Sequence, residues 1–413
     1  MTFQYFLPRP HLGRAVRENR FGWHRKMLRL AALLLFGAAS AAALGQTAAA
    51  RNPRVAAPDT VGEFANFSQW QGVAEFIEQV AARDGFSKAE LEKWLRQAHY
   101  VDSAVQLMKP APPGRPKNWT AYRLRFVEPV RINAGAAFWN QNAEALARAE
   151  ARFGVPAEII VGIIGVETVY GRNTGNFRVM DAITTLAFAY PNTPNREARM
   201  AYFRGELENT LLFAREANID PFSLLGSYAG AIGWPQFMPG SIRRFAIDFD
   251  GDGRIDLRNS AVDAIGSVAN FLVQHGWKSG DPIVFPANVR ATRSMAAETA
   301  GENAGENAGE NIGKIPVTVA AGAVSNSWQR FINQGLEATN TLDELRDGGV
   351  TPGIAPPADL RYGLIDLQNG DGPTEYWLAT NNFYAITQYN RSYFYAMSVV
   401  DLARAVRVAR AGK

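Results

Sequence analysis

One carboxylate lies in the most apolar stretch of the sequence. Residues 159–171 read IIVGIIGVETVYG, in which Glu167 is the only charged side chain. Burial and the negative end of a helix both disfavour ionisation, so this pattern is typical of a general acid that stays protonated near neutral pH. The alternative is a structural acid paired with Arg172 or Arg178, and the pattern by itself leaves both interpretations open.

A second segment combines residue types that suit a polymeric ligand. Residues 226–240 read GSYAGAIGWPQFMPG. Its small residues let a polymer approach the backbone, its aromatic residues offer faces for sugar rings, and Ser227 and Gln236 supply adaptable hydrogen bonds. The segment therefore predicts a binding loop.

A third segment follows the pattern of a calcium-binding EF-hand loop. Asp248, Asp250 and Asp252 occupy the first, third and fifth positions, and the backbone carbonyl of Arg254 occupies the seventh. The twelfth position holds Asn259 where a bidentate Glu is expected, and the alternative is an Asp/Gly turn without metal. Calcium bound here would be structural, because an EF-hand offers the ion no open coordination position for chemistry.

The elements that must position these groups are mainly helices. Residues 119–275 carry helical periodicity, and Pro156 suits the first position of a helix over 157–170. Gly162 and Gly165 are poor helix formers, so we expect another element or a ligand to approach the backbone there. This apolar helix should therefore be buried against a close neighbour.

Proline-rich and repetitive stretches divide the chain. The run PAPPGRP breaks the helices, a stretch of short Val/Ala-rich runs indicates a small partly β insertion, and the sequence AGEN occurs three times within it, over 300–311. We predict five segments: a leader over 1–50, an N-terminal helical region with a proline-rich linker over 51–118, a helical domain over 119–280, the insertion over 281–358, and a C-terminal segment over 359–413.

The charge of the chain is concentrated at its N-terminus. The 413 residues have a net charge of +4, and residues 1–30 hold seven of the 43 cations but one of the 39 anions, which leaves the remainder at −2. A near-neutral body argues against a nucleic-acid binder, since tracking phosphates needs a basic face. The absence of cysteine excludes disulfides, thiolate nucleophiles, thiolate zinc sites and a lipid-bearing N-terminal cysteine.

The leader has the features of an export signal. Arg25 and Lys26 precede an apolar stretch of about fifteen residues, and Ala-x-Ala cleavage sites follow it. The stretch is shorter than the ~20 residues of a membrane span, and an uncleaved anchor is the alternative. Since Met27 would begin a complete signal by itself, we hypothesise that residues 1–26 precede the true start, and we expect cleavage near 44–51.

Five short motifs follow one another along the body of the chain. They are GVETVYG at 165–171, DAITTLA at 181–187, Tyr190-Pro191, GSYAGAIGWPQFMP at 226–239 and DAIGSVAN at 263–270. Together they resemble the family of lytic murein transglycosylase B and its soluble relatives, and the similarity spans residues 119–277 and 376–402.

The resemblance implies a fold, a location and a reaction. The fold is mainly α (α+β), with a lysozyme-like α domain over 119–280 that carries an EF-hand-like calcium loop, a small partly β insertion, and a C-terminal segment that completes a glycan groove. The location is periplasmic. The reaction cleaves peptidoglycan between MurNAc and GlcNAc without water, and hydrolytic muramidase and non-catalytic peptidoglycan-binding protein are the alternative functions.

The resemblance gives the catalytic role to Glu167 alone. Glu167 would protonate the glycosidic oxygen, the substrate's 2-acetamido group would stabilise the cationic centre, and Glu167 would then take the proton of the muramyl 6-hydroxyl to leave a 1,6-anhydro product. No second carboxylate recurs nearby as a two-carboxylate glycosidase requires, and we interpret Asp181 as a helix cap. The resemblance also implies a set of substrate-binding residues, namely Ser227, Gln236, Tyr122, Tyr202, Tyr389, Asn390 and Tyr395. For the tyrosines, the alternative to substrate binding is packing in the core.

The family also implies the metal ligands and partners. Its calcium loop takes the closing acid from further along the chain, so the implied ligands are Asp248, Asp250, Asp252, Arg254 and Asp263. We expect no organic cofactor, a monomer that binds peptidoglycan glycan strands, and candidate partners in cell-wall synthesis or remodelling. Residues 192–195 read NTPN where the family often has adjacent arginines, so recognition of the stem peptide stays open. Without the lipid-bearing cysteine of the membrane-bound relatives, we expect a soluble periplasmic protein and not a lipoprotein.

Overall fold

The computed structural model of the chain describes residues 70–110, 114, 116–290, 292–293, 324–332 and 334–412. The predicted leader over 1–50, much of the proline-rich linker and the AGEN repeats lie outside the described residues. The described residues form two compact units. The first contains the described parts of 1–115, 120–279 and 388–413, and the second contains 116–119 and 280–387.

Helices make up most of the first unit. They are α1 Gln71–Asp84, α2 Lys88–Gln97, α3 Asp102–Met108, α4 Trp119–Arg123, α5 Pro129–Gln141, α6 Ala143–Phe153, α7 Ala157–Thr168, α8 Val179–Phe188, α9 Arg196–Glu216, α10 Pro239–Phe245, α11 Ala261–Gln274 and α14 Tyr393–Ala411. Two short strands, β1 Phe177–Arg178 and β2 Leu225–Gly226, pair antiparallel. Among the described residues, no helix combines the length and apolar character that crossing a bilayer requires.

The apolar helix predicted over 157–170 is confirmed as α7. All of its residues except Glu158 are buried. Pro156 immediately precedes the helix at its N-cap, one position before the place that the sequence suggested. The helix ends where Val169 and Tyr170 adopt left-handed backbone angles, with φ of 52° and 58°. Such angles are rare for residues with branched or bulky side chains, so the chain stops the helix abruptly just after Glu167.

The close neighbour expected at the two helix glycines is α14. A Cβ atom at Gly162 would lie 2.7 Å from the backbone oxygen of Val399, and a Cβ atom at Gly165 would lie 2.9 Å from a methyl carbon of Leu402. Only glycine therefore lets the two helices approach this closely. The approach fixes the register between α7, which carries Glu167, and the start of α14.

The second unit is built on a small antiparallel sheet. Its strands are β3 Val284–Val289, β6 Val350–Pro352, β7 Gly363–Asn369 and β8 Gly372–Ala379, in the order β6-β3-β8-β7. A ribbon of β4 Thr292–Arg293 and β5 Val324–Ser325, a 3-10 turn at Ser327–Phe331, and the helices α12 Leu342–Asp347 and α13 Asn381–Thr387 complete it. Phe331, Leu345, Leu364 and Leu378 share its core.

The predicted fold class is confirmed, since the described chain is mainly helical with one four-stranded sheet and two short strand pairs. The strands β7 and β8 lie beyond residue 358, where the sequence placed the end of the insertion. The second unit continues to residue 387 because both strands pair within the sheet that β3 begins. The five segment boundaries stay a prediction.

Candidate active site

A groove of about 800 Å³ opens in the first unit. Most of its lining comes from α4, α7, α9, α10, α11 and α14 and from the loops before α10 and α14. All eight residues for which a catalytic or substrate-binding role is expected line this one groove, namely Tyr122, Glu167, Tyr202, Ser227, Gln236, Tyr389, Asn390 and Tyr395. The structure thus brings together residues that are up to 273 positions apart in the chain (395 against 122).

Glu167 is almost fully withdrawn from solvent. The residue is 7% exposed, and its Oε1 accepts a hydrogen bond of 2.6 Å from the Tyr395 hydroxyl. Burial raises the pKa of Glu167 to about 7, although the hydrogen bond from Tyr395 favours the carboxylate and opposes the rise. Both protonation states are therefore accessible near neutral pH, as a group that gives and then takes a proton requires.

The structural alternative for Glu167 required an arginine partner. Arg178 instead forms a two-pronged ion pair with Asp181, with N–O distances of 2.7 and 2.8 Å. Asp181 also accepts a hydrogen bond from the backbone N–H of His99. The expected role of Asp181 as a helix cap is wrong, because the N-cap of α8 is Arg178 and no side chain caps the helix. Asp181 lies in the first turn of α8 and holds the segment after α2 instead.

Three tyrosines near Glu167 stay neutral, and one of them, Tyr395, donates to it. Burial, and next to it the Glu167 charge, raise the pKa of Tyr122, Tyr389 and Tyr395 above the ordinary value. The Tyr389 ring lies 6.4 Å from the Tyr395 ring at an interplanar angle of 16°, and its hydroxyl donates to the Pro235 oxygen at 2.9 Å. These rings link Glu167 to the loop over 226–240.

That loop presents Ser227 with one defined hydrogen-bonding role. Ser227 is 4% exposed, and its Oγ accepts from the backbone N–H groups of Ala229 at 3.3 Å and Ala231 at 3.1 Å. A hydroxyl has two acceptor lone pairs and one donor hydrogen. With both lone pairs engaged, the hydrogen is left to donate to a ligand.

Gln236 presents the opposite role. Its Nε2 donates to the backbone oxygens of Thr174 at 3.0 Å and Gly233 at 2.9 Å, which leaves Oε1 to accept from a ligand. The residue has a left-handed φ of 53°, a conformation that costs a non-glycine residue free energy. Such strain is typical of a position whose side-chain direction matters.

The loop is tied directly to the helix of the catalytic candidate. Thr168, the residue after Glu167, donates from Oγ1 to the Trp234 backbone oxygen at 2.9 Å. Buried Arg131 donates from Nε to the Gly165 oxygen at 2.9 Å, in the last turn of α7. The last turn of α7 is therefore held from two sides, which limits the movement of Glu167.

The acidic loop brings three predicted ligands together. Carboxylate oxygens of Asp248, Asp250 and Asp252 lie within 4.8 Å of one another. Asp248 also accepts hydrogen bonds from the backbone N–H groups of Gly251 at 2.7 Å and Gly253 at 2.9 Å, which curls the loop around its carboxylates. An all-oxygen donor set on a curled loop fits a hard cation such as Ca²⁺.

Asp263 lies beneath this loop and outside that group of carboxylates. It is 1% exposed; its Oδ1 accepts from the backbone N–H of Phe249 at 2.8 Å, and its Oδ2 accepts from that of Asp256 at 2.9 Å. The predicted fourth acid thus joins the two ends of the loop through backbone amides. Arg254 belongs to the same loop, and its N–H donates to Asp252 at 2.8 Å.

Comparisons with known proteins identify the family of the chain. The model of the transglycosylase SLT domain family matches residues 67–326 and 314–404. Membrane-bound lytic murein transglycosylase B of Escherichia coli is 39% identical over 357 residues, which cover 84% of this chain and 85% of that protein. The chain belongs to the lytic murein transglycosylase B family.

Solved structures of transglycosylase B relatives share its fold. Catenated lytic transglycosylase SltB1 from Pseudomonas aeruginosa is 41% identical, with a TM-score of 0.69 over 83% of this chain and 99% of that one. The Escherichia coli lytic transglycosylase Slt35, solved in complex with calcium, is 38% identical, with a TM-score of 0.66 over 84% of this chain and 96% of that one. Each likeness covers more than four-fifths of this chain.

The groove contains further residues that the sequence did not single out. Arg199 lies on α9 three positions before Tyr202, and its guanidinium is 5.1 Å from the centre of that ring. Arg244 and Arg391 line the same groove. Helical spacing from Tyr202 was the available signal for Arg199, since residues three apart share a helix face.

A further buried acid, Glu206, anchors the start of α10, whose side chains line the groove. Glu206 is 5% exposed, and its Oε2 accepts a hydrogen bond of 2.8 Å from the Gly240 N–H at the start of α10. Burial raises the pKa of Glu206 above the ordinary value, against the hydrogen bond from Gly240 and the charge of Arg244. Glu206 follows Tyr202 by one helical turn, so the same spacing could have revealed it.

Proposed function

We propose that this chain is a lytic transglycosylase that cleaves the β-1,4 bond between MurNAc and GlcNAc in peptidoglycan and releases 1,6-anhydromuramyl ends. The observation that carries the proposal is Glu167, one buried carboxyl group with a pKa raised to about 7 in a groove lined by the expected sugar-binding residues. One group near its pKa can act as acid and then as base. Family membership and the names of the relatives support the same reaction.

The first step breaks the glycosidic bond. Protonated Glu167 gives its proton to the glycosidic oxygen, the bond from that oxygen to C1 of MurNAc breaks, and the acetamido oxygen of the same sugar bonds to C1. Glu167 is left as a carboxylate that the Tyr395 hydroxyl stabilises at 2.6 Å. A hydrogen bond to an ionised carboxylate is stronger than one to a neutral acid, so this contact lowers the barrier of the step.

The second step closes the anhydro ring. The Glu167 carboxylate takes the proton of the muramyl 6-hydroxyl, the 6-oxygen bonds to C1, and the bond from the acetamido oxygen to C1 breaks. Glu167 is protonated again, and no water is consumed. A hydroxyl held on the same sugar has a high effective molarity, which favours it over solvent in an enclosed groove.

Ser227 and Gln236 complement the two ends of an acetamido group. The hydrogen of Ser227 is left to donate to its carbonyl oxygen, and Oε1 of Gln236 is left to accept from its N–H. Tyr122, Tyr202 and Tyr389 offer ring faces, and Asn390 offers an amide, for the sugars on either side. The acetamido group would thus be oriented for attack on C1.

Digestion of purified sacculi tests this function. We expect the wild-type protein to release anhydromuropeptides, and Glu167→Gln to release none while it still sediments with the sacculi. Glu158→Gln, which changes another acid of α7 outside the groove, is the matched control and should release the wild-type products. Reducing-end products would show a muramidase instead, and binding without any release by the wild type would show a non-catalytic wall-binding protein.

We also propose a structural calcium ion in the acidic loop. Its ligands are the carboxylates of Asp248, Asp250 and Asp252 and the backbone carbonyl of Arg254, and the calcium complex of Slt35 supports the assignment. Ligation by Asp263 stays a prediction, because its oxygens accept from loop amides. The ion would stiffen the segment between α10 and α11, and no step of the reaction involves it.

The proposed location is the periplasm, where peptidoglycan lies. The leader sequence and the absence of cysteine support export without lipid attachment. N-terminal sequencing of the protein recovered from the periplasm should find a start near residues 44–51. A start in the first few residues would contradict cleavage of the leader.

A further inference from the structure

A second cavity lies in the second unit, and none of the residues assigned so far lines it. Its volume is about 520 Å³, within the range of small-molecule sites. Strands β7 and β8 supply Asp366, Gln368, Thr374 and Tyr376, and the 3-10 turn after β5 supplies Trp328. No role in the reaction described above uses any of these side chains.

The cavity lies where one face of the sheet changes from apolar to polar. Leu364 pairs across the strands with Leu378, and both are buried in the core of the unit. Two residues further along the same face, Asp366 pairs with Tyr376, and Gln368 follows two residues later. The core therefore ends at Tyr376, and the sheet face beyond it carries hydrogen-bonding groups.

Aromatic rings form one side of this polar area. The Trp328 and Tyr376 rings meet edge to face, with centres 5.2 Å apart and an interplanar angle of 71°. Both are partly buried against the core, which fixes their orientation. Both rings also line the cavity, so they offer aromatic surface to a ligand.

The charges of the described lining sum to zero. Lys117 supplies the single cation and Asp366 the single anion. The Gln368 amide donates to Asp366 at 2.8 Å, which fixes the carboxylate and leaves its other oxygen to accept from a ligand. A neutral lining of this kind fits an uncharged ligand with many hydroxyls better than an anionic peptide, which would need excess positive charge.

A ring with an apolar face and hydroxyls at its edge matches both parts of the cavity. We propose that this cavity is a second saccharide site, which takes one N-acetylhexosamine unit of a glycan strand. Its sugar face packs on Trp328 and Tyr376, and its hydroxyls bind Asp366, Gln368 and Thr374. The proposal rests on the proposed function, in that the strand bound here is the polymer cleaved in the groove, and a second contact with one polymer raises its retention.

The test follows the indole N–H signals of the full chain by NMR, with chitotetraose as the probe and Glu167→Gln in the background to prevent turnover. Trp328→Phe identifies the Trp328 signal by its loss. We expect chitotetraose to shift that signal. Asp366→Asn should raise the dissociation constant of chitotetraose, measured from the Trp328 signal, about tenfold, which corresponds to ~1.4 kcal/mol.

Glu375→Gln is the matched control. It removes one carboxylate from the same hairpin. Glu375 lies on the face of β8 opposite to Tyr376 and does not line the cavity. The dissociation constant of chitotetraose for this variant should equal that for the Glu167→Gln parent. An unshifted Trp328 signal overturns the proposal, and so does equal weakening by both carboxylate variants.

Two further measurements distinguish a saccharide site from a peptide site, and failure of this site from failure of the proposed catalysis. A free stem tetrapeptide that shifts the Trp328 signal, where chitotetraose does not, would replace the saccharide with a peptide and overturn the proposal. Release of anhydromuropeptides by the wild type is measured separately on sacculi. Release without the Trp328 shift contradicts only the second site, whereas the shift without release contradicts only the proposed catalysis.

Discussion

The buried acid should cost the protein stability when it ionises. The folded state raises the pKa of Glu167 from its ordinary value of 4.5 to about 7, so the folded state holds this proton more tightly than the unfolded state does. The contribution of Glu167 to the free energy of unfolding is therefore fully present below its pKa in the unfolded state. It is lost as the pH rises through its pKa in the folded state. The difference of about 2.5 pH units corresponds to roughly 3 kcal/mol.

Glu167→Gln exposes this cost, because glutamine resembles the protonated acid and cannot ionise. The variant should be more stable than the wild type by about 3 kcal/mol at pH 8 and by about 1 kcal/mol at pH 5. Urea denaturation at both pH values measures the free energy of unfolding. Both proteins need the same calcium concentration, so that metal binding does not differ.

Glu158→Gln is the control on the same helix. Glu158 lies at the start of α7 and pairs with Arg407 at 3.0 Å. The Arg407 side chain is 59% exposed, so loss of the pair should cost less than about 1 kcal/mol and should bring no gain at pH 8. A Glu167→Gln variant that is less stable than the wild type at pH 8, or whose advantage is equal at both pH values, would refute the burial argument.

Three other predictions follow from the same contacts. Tyr395→Phe removes a hydrogen bond that favours the carboxylate, so the pKa of Glu167 should rise and the alkaline limb of the pH–activity profile should move up by about one pH unit; an unmoved limb would contradict the contact. Gly162→Ala should lose about 1–3 kcal/mol in urea denaturation because its Cβ meets a backbone oxygen at 2.7 Å, whereas Gly205→Ala, with nothing within 4 Å, should lose none. Chelation of calcium should lower the melting temperature but spare turnover at low temperature, and an immediate loss of turnover there would contradict a structural ion.

Local pattern was enough to predict the helix and its buried acid. The apolar run around Glu167 predicts burial wherever the helix packs, and Gly162 and Gly165 indicate a close neighbour before the neighbour is known. The three acids of the loop are likewise close in sequence and meet through local turns alone. The same periodicity indicated a mainly helical chain, whereas the lysozyme-like domain was implied by the family resemblance.

Contacts between distant parts of the chain were beyond sequence pattern. The hydrogen bond between Tyr395 and Glu167 joins residues 228 positions apart, and a family resemblance placed Tyr395 near the site without giving the contact. Glu206 supports the groove through a bond to Gly240, 34 positions away. The geometry of Asp263 depends on how α11 packs beneath the loop, which no local pattern specifies.

The central claim is that Glu167 drives ring closure by the muramyl hydroxyl and not by water. This claim is tested directly by mass spectrometry of the muropeptides that the protein releases from purified sacculi in ¹⁸O-labelled water. We expect MurNAc ends that are one water lighter than reducing ends and carry no ¹⁸O, and we expect no release by Glu167→Gln. Products that carry ¹⁸O at the MurNAc end, or appreciable release by Glu167→Gln, would contradict it.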